Sequence, residues 1–193
     1  MKTTTMTRVA MFVALMVGSG WALAMVPNVE FITALAFTAG AVLGPLRGAV
    51  VGSSGMFLFS ATNPLGSGLA FPVLLAAQII SQGLTGLSGG WFQRLTTGVR
   101  NGWPLRLGLA ITGLALTVVY DGLTTISFPL FAGASLHEIG VVLIAGLAFT
   151  IIHQVSNLLI FFWVVPRMIQ VARRTAISSA DQVPAVSPEE QGP

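Results

Sequence analysis

Asp121 sits in a long apolar run, directly after Tyr120 and shortly before Thr124 and Thr125. Asp121 and Thr124 share a helical face by their i, i+3 spacing. A carboxylate in such surroundings needs water, a hydrogen-bond partner or a cationic group, because facing lipid costs several kcal/mol. A second polar set has the same character. Thr150, His153 and Asn157 fall on one face at i, i+3, i+7, with Gln154 beside them. Gln78 is similarly deep in its own apolar run, and Asn28 and Glu30 lie in a short connection near the start. Each has a bland reading. Asp121 could snorkel to an interface, His153 could be an interhelical hydrogen-bond partner, and Asn28 and Glu30 could be solvated loop residues.

The chemistry open to these groups is narrow. The chain has no Cys, which excludes disulfides, thiolate metal sites and Cys nucleophiles. Its single Lys, Lys2, leaves no P-loop and no buried Schiff-base lysine. There is no G-x-S-x-G and no H-E-x-x-H. Gly18-Ser19-Gly20 and Ser53-Ser54-Gly55 offer hydroxyls without a nearby base. The His137-Glu138 pair and His153 lack metal-ligand spacing. No catalytic group, metal or cofactor is therefore expected. The remaining role is binding, since an apolar cavity with a few polar groups suits a small molecule. An intramembrane enzyme using Asp121, Glu138 and the two histidines is the alternative.

The elements that must position these groups are apolar. Charged residues make up 8% of the chain, against about 25% in soluble domains. Hydrophobic segments run over residues 9–26, 31–46, 48–62, 69–92, 105–128 and 139–165. As one helix, 31–62 would be about 48 Å long at ~1.5 Å per residue. The hydrocarbon core is about 30 Å. Gly44-Pro45-Leu46-Arg47-Gly48 breaks it into a hairpin of two short helices. The expected fold is an all-α integral membrane protein of six transmembrane helices. Residues 1–168 form the membrane-embedded domain, and 169–193 a disordered cytoplasmic tail.

The orientation follows from the basic residues. Lys2, Arg8, Arg47, Arg94, Arg100, Arg106, Arg167, Arg173 and Arg174 all fall on one side of a six-span arrangement. The positive-inside rule makes that side cytoplasmic, with both termini inside. These arginines suit anionic lipid headgroups or a cytoplasmic partner rather than nucleic acid. Ala22-Leu23-Ala24 also fits a signal-peptide cleavage site, but cleavage would leave five spans and spoil the charge pattern, so the first span is read as retained. Along that span Ala10, Ala14, Gly18 and Ala22 form a ridge of small residues that lets another helix approach closely.

Several local motifs, in order, resemble the substrate-binding S components of energy-coupling factor (ECF) vitamin transporters. They are Ala10-x-x-x-Ala14, Val26-Pro27-Asn28-Val29-Glu30, the Gly44–Gly52 hairpin, Asn63-Pro64-Leu65-Gly66 and the run from Pro72 to Gln78. Many members carry an acidic residue near the position of Met56, so no role is carried over there. The resemblance implies capture of a vitamin or related micronutrient from outside. It also implies docking of Ala10 and Ala14 onto a transmembrane coupling protein driven by two cytoplasmic ATPase subunits. The candidate binding residues are Asn28, Glu30, Asn63, Gln78, Tyr120, Asp121, Thr124, His153 and Asn157. The expected outer side holds no Lys or Arg, which disfavours a multiply anionic ligand. Neutral or cationic micronutrients fit, among them cobalamin or its precursors, thiamine or its pyrimidine part, riboflavin and a queuosine precursor.

Overall fold

The computed structural model describes residues 3–99 and 102–181. Within them the regular structure is entirely helical. The α-helices are α1 (Thr3–Ala22), α2 (Ile32–Leu43), α3 (Pro45–Ala61), α4 (Pro72–Leu95), α5 (Trp103–Phe131), α6 (Leu136–Ala145), α7 (Leu147–Leu159) and α8 (Val165–Asp181). A 3-10 turn precedes α4 and a π-helical segment, Ile160–Val164, joins α7 to α8. Pro166 follows that segment, and a proline without an N–H is accommodated by such a local change of helical pitch.

Helices α1 and α5 are long and apolar enough to cross a membrane. The pair Leu136–Ala145 and Leu147–Trp163 makes a third candidate span if its 58° bend is a break within one crossing. The sixth hydrophobic segment is thus two helices rather than one, divided at Gly146. The sequence-expected break at 44–48 falls at Gly44, whose φ of 95° favours glycine, and Pro45 occupies the first turn of α3. The tail expected from residue 169 is corrected in its first part, because α8 continues to Asp181. Its sequence keeps good helix formers such as Met168, Ala172 and the arginines, and nothing breaks it. Residues 182–193 lie outside the described set.

Helix α2 is the centre. It is apolar all round, and every residue but Val42 is buried, as expected of a helix with no solvent-facing side. One core cluster joins α2 to Met16 of α1 and to Val51 and Met56 of α3. The other joins Ala34 and Phe37 to Leu109 of α5 and to Ile160, Phe161 and Val165. Phe37 meets the Phe161 and Phe92 rings edge-on, with centroids 5.2 and 5.7 Å apart.

The helices α2, α3 and α4 touch at their backbones. A Cβ on Gly40 would collide with the Gly86 carbonyl, and one on Gly86 with the Gly48 carbonyl. Gly18 of α1 has open space around it. Gly40→Ala and Gly86→Ala should therefore each cost about 1–3 kcal/mol, the usual penalty of overpacking. Gly18→Ala should stay within about 0.5 kcal/mol of the parent. Thermal unfolding of the three variants in mild detergent checks this, and unchanged melting of Gly86→Ala would contradict the close packing.

Candidate functional site

The first connection and α7 bring together residues far apart in sequence. Asn28 adopts a left-handed φ of 56°, and its carbonyl accepts a hydrogen bond from Ser156 Oγ at 2.8 Å. Glu30 follows, and its Oε2 accepts from the Thr33 amide at 2.9 Å, capping the start of α2. Its other oxygen lies 3.4 Å from the Asn157 amide nitrogen of α7.

Asp121 reaches α7 from α5. Its Oδ1 is 2.7 Å from His153 Nδ1, and its Oδ2 accepts from Gln154 Nε2 at 3.0 Å. An ionised carboxylate only accepts, so the tautomer with the proton on Nδ1 is the one that pairs with an ionised Asp121. Nε2, the ring nitrogen remaining, points toward Glu30 Oε1 at 3.6 Å, too long for a hydrogen bond. It has no hydrogen-bond partner. Tyr120 meets the His153 ring edge-on at a centroid distance of 5.8 Å. The result is a row, Glu30–His153–Asp121, drawn from the α1–α2 connection, α7 and α5. Burial pushes the Glu30 carboxyl up, but its interactions with His153 and Thr33 pull it further down, leaving it below its usual 4.5.

These groups line a cavity of about 420 Å³, together with Asn28, Gln78, Tyr120, Thr124 and Thr150. Its apolar wall includes Phe59, Leu74 and Phe149. Two carboxylates face one imidazole, and no Lys or Arg lines the space, so it is net negative whether or not His153 carries a second proton. Among the described residues, no group of three His, Asp or Glu is placed to hold a metal ion.

The structure thus gathers eight of the nine sequence candidates in or against one site, Asn157 acting from behind through Glu30. Asn63 is the correction. Its Oδ1 accepts from the Leu65 amide at 2.9 Å in the loop after α3, and it does not line the cavity. A short Asn-Pro turn uses its own side chain to close, which is the ordinary role of Asn there. Glu138 and His137 are also elsewhere. Glu138 forms a capping box with Ser135 at the exposed start of α6. The α7 face at 150, 153 and 157 holds as expected, with His153 and Asn157 buried.

Gln82 is a site residue that the sequence reading missed. It is buried, its Nε2 donates to Thr33 Oγ1 at 2.9 Å, and its Oε1 has no partner. The signal was available, since Gln82 lies four residues after Gln78 on the same face of α4. Gln78 itself accepts from Ser60 Oγ at 2.9 Å. No protein-family model, curated protein or solved structure matches this chain.

Asp121→Ala leaves His153 and Gln154 without their acceptor and should cost about 3–5 kcal/mol, as for a broken buried pair. Asp121→Asn keeps an acceptor but loses the charge, and should cost about 1.5–3 kcal/mol. Unfolding curves of the two variants test the order. The depressed Glu30 carboxyl contributes stability that is present above about pH 4.5 and lost as pH falls through its lower folded value. Glu30→Gln should flatten that acid limb, and an unchanged acid limb would contradict the depression of the Glu30 carboxyl by its neighbours.

Proposed function

We propose that this chain is the membrane-embedded, high-affinity substrate-binding subunit of an ECF-type importer for a compact neutral or cationic micronutrient. The observation that carries the reading is the polar row Glu30–His153–Asp121 inside a small, partly aromatic cavity that no Lys or Arg lines. A binding site of this kind needs a few fixed polar groups in an apolar wall, and about 420 Å³ lies within the ~300–1,000 Å³ usual for small ligands. Tyr120, Phe59 and Phe149 line the cavity, and such aromatic rings suit a heterocycle or an organic cation. The volume favours thiamine-, pyrimidine-, riboflavin- or queuosine-precursor-sized ligands over a corrinoid.

The exterior supports a multi-pass protein in the cell membrane of a bacterium or archaeon. Large apolar side chains are exposed on α1, α5, α6 and α7, among them Met11, Leu15, Ile111, Val118, Ile144 and Ile151. A water-facing surface rarely carries so many. The arginines gather at the end away from the cavity. Arg8 and Arg167 share one groove, Arg173 and Arg174 another, and Arg173 Nη2 also donates to Ala41 O at 3.4 Å. Six crossings with both termini in the cytoplasm place the cavity outside and the arginines inside, in keeping with the positive-inside rule.

The ridge of α1 belongs to the same reading. Ala10, Ala14, Gly18 and Ala22 are all exposed, while Met16 and Gly20 face the bundle. A stripe of small residues turned outward lets a helix of a coupling protein approach, and that protein and its two ATPase subunits supply the energy this chain lacks.

Mass spectrometry of ligand retained through purification in mild detergent is the direct test. A chemically unchanged micronutrient is the expected result, while a turned-over product would favour an intramembrane enzyme built on His153 and Asp121. Ala14→Trp should abolish uptake and association with the coupling protein while leaving ligand affinity within about twofold, since 1.4 kcal/mol is needed for a tenfold change. Equal loss of binding and uptake would overturn the assignment of the ridge.

A further inference from the structure

A second and larger space lies at the other end of α1. It measures about 850 Å³ and runs between α1, α2 and α8. Its wall is apolar over Met11, Phe12, Leu15, Leu35 and Val164. Its rim is not. Arg8 comes from α1 and Arg167 from α8, flanked by Thr3, Thr4, Thr7 and Thr175. On α1 the lining runs from Thr3 to Leu15, about 18 Å at ~1.5 Å per residue. One wall residue is out of character. Thr38 of α2 is 1% exposed, and its Oγ1 makes no hydrogen bond. A threonine within a helix ordinarily returns its hydroxyl to the preceding turn. A buried hydroxyl left without a bond is destabilising, so a polar atom in the groove would be stabilising there.

We infer that this groove holds one anionic phospholipid, with its phosphate between Arg8 and Arg167, an ester oxygen in reach of Thr38 and an acyl chain along Phe12, Leu15 and Leu35. The inference rests on the membrane-embedded reading above but not on the identity of the transported ligand. Charge complementarity decides for a lipid over a helix of a protein partner. A helix in lipid packs through small residues, and those lie on the ridge at Ala10 and Ala14, which does not line the groove. Two guanidinium groups above an apolar slot match instead a headgroup above a chain.

The test uses the full chain, extracted from carbonate-washed membranes and delipidated in detergent. It is then offered equal palmitoyl-oleoyl phosphatidylglycerol and phosphatidylcholine. Native mass spectrometry should show one retained phosphatidylglycerol. The double variant Arg8→Gln/Arg167→Gln should lower the preference roughly 10- to 30-fold, from about 1 kcal/mol per arginine at 1.4 kcal/mol per decade. Ala172→Trp, which keeps both arginines and fills the groove, should remove the retained lipid altogether. Equal retention of the two lipids, or retention unchanged in Ala172→Trp, overturns the inference while the membrane reading stands. Loss of coupling-protein association in Ala172→Trp with lipid retention intact overturns it in favour of a protein occupant. Recovery of the parent chain in the soluble fraction would fell the membrane reading and this inference together.

Discussion

Helix α2 is buried on every side because its neighbours reach it at backbone distance. Gly40, Gly48 and Gly86 remove the side chains that would hold α2, α3 and α4 apart. Between helices that all carry apolar surfaces, attraction comes from close packing rather than from expulsion of water. A single methyl at Gly86 would push α4 from α3. That displacement would move Gln78 and Gln82, which α4 carries to the cavity. The glycine contact therefore sets the geometry of a site that contains none of these glycines.

On the other flank the restraint is polar. Glu30, His153 and Asp121 belong to three segments that apolar packing alone would leave free to slide. Asp121 holds the imidazole through Nδ1, and Thr33 and Asn157 hold Glu30. Nε2 is buried without a hydrogen-bond partner and points toward Glu30. The ring's orientation is thereby fixed before anything enters the cavity. Both oxygens of Asp121 are engaged, one by His153 and the other by Gln154.

The two ends of the bundle have different chemistry. One has carboxylates, amides and aromatic residues around a cavity, and the other has arginines around an apolar groove. A capture subunit in a membrane would need this division, with recognition on one side and lipid or partner contacts on the other. The bent α6–α7 pair adds a loosely held element near the cavity, since α6 has no buried residue while Gly146 lines the space.

Much of this was legible in the residues themselves. Apolar runs located nearly every helix, because hydrophobic periodicity and length are local properties. Gly44-Pro45 marked its break because glycine permits the positive φ of the turn and proline fixes the φ that opens the next helix. The i, i+3, i+7 spacing of Thr150, His153 and Asn157 predicted a shared face for the same reason. The pairing of His153 with Asp121 was not legible. Thirty-two residues separate them, and many partners were open to each. Nor could sequence tell that Asn63 closes its own turn while Asn28 joins the site, since both are Asn in short connections. The helical start of the tail was missed because polar composition obscured an unbroken run of helix formers. Sequence determined which segments are helical and which groups would need partners. Tertiary structure decided which partners they took, because long-range contacts depend on how closely the glycine-lined backbones pack.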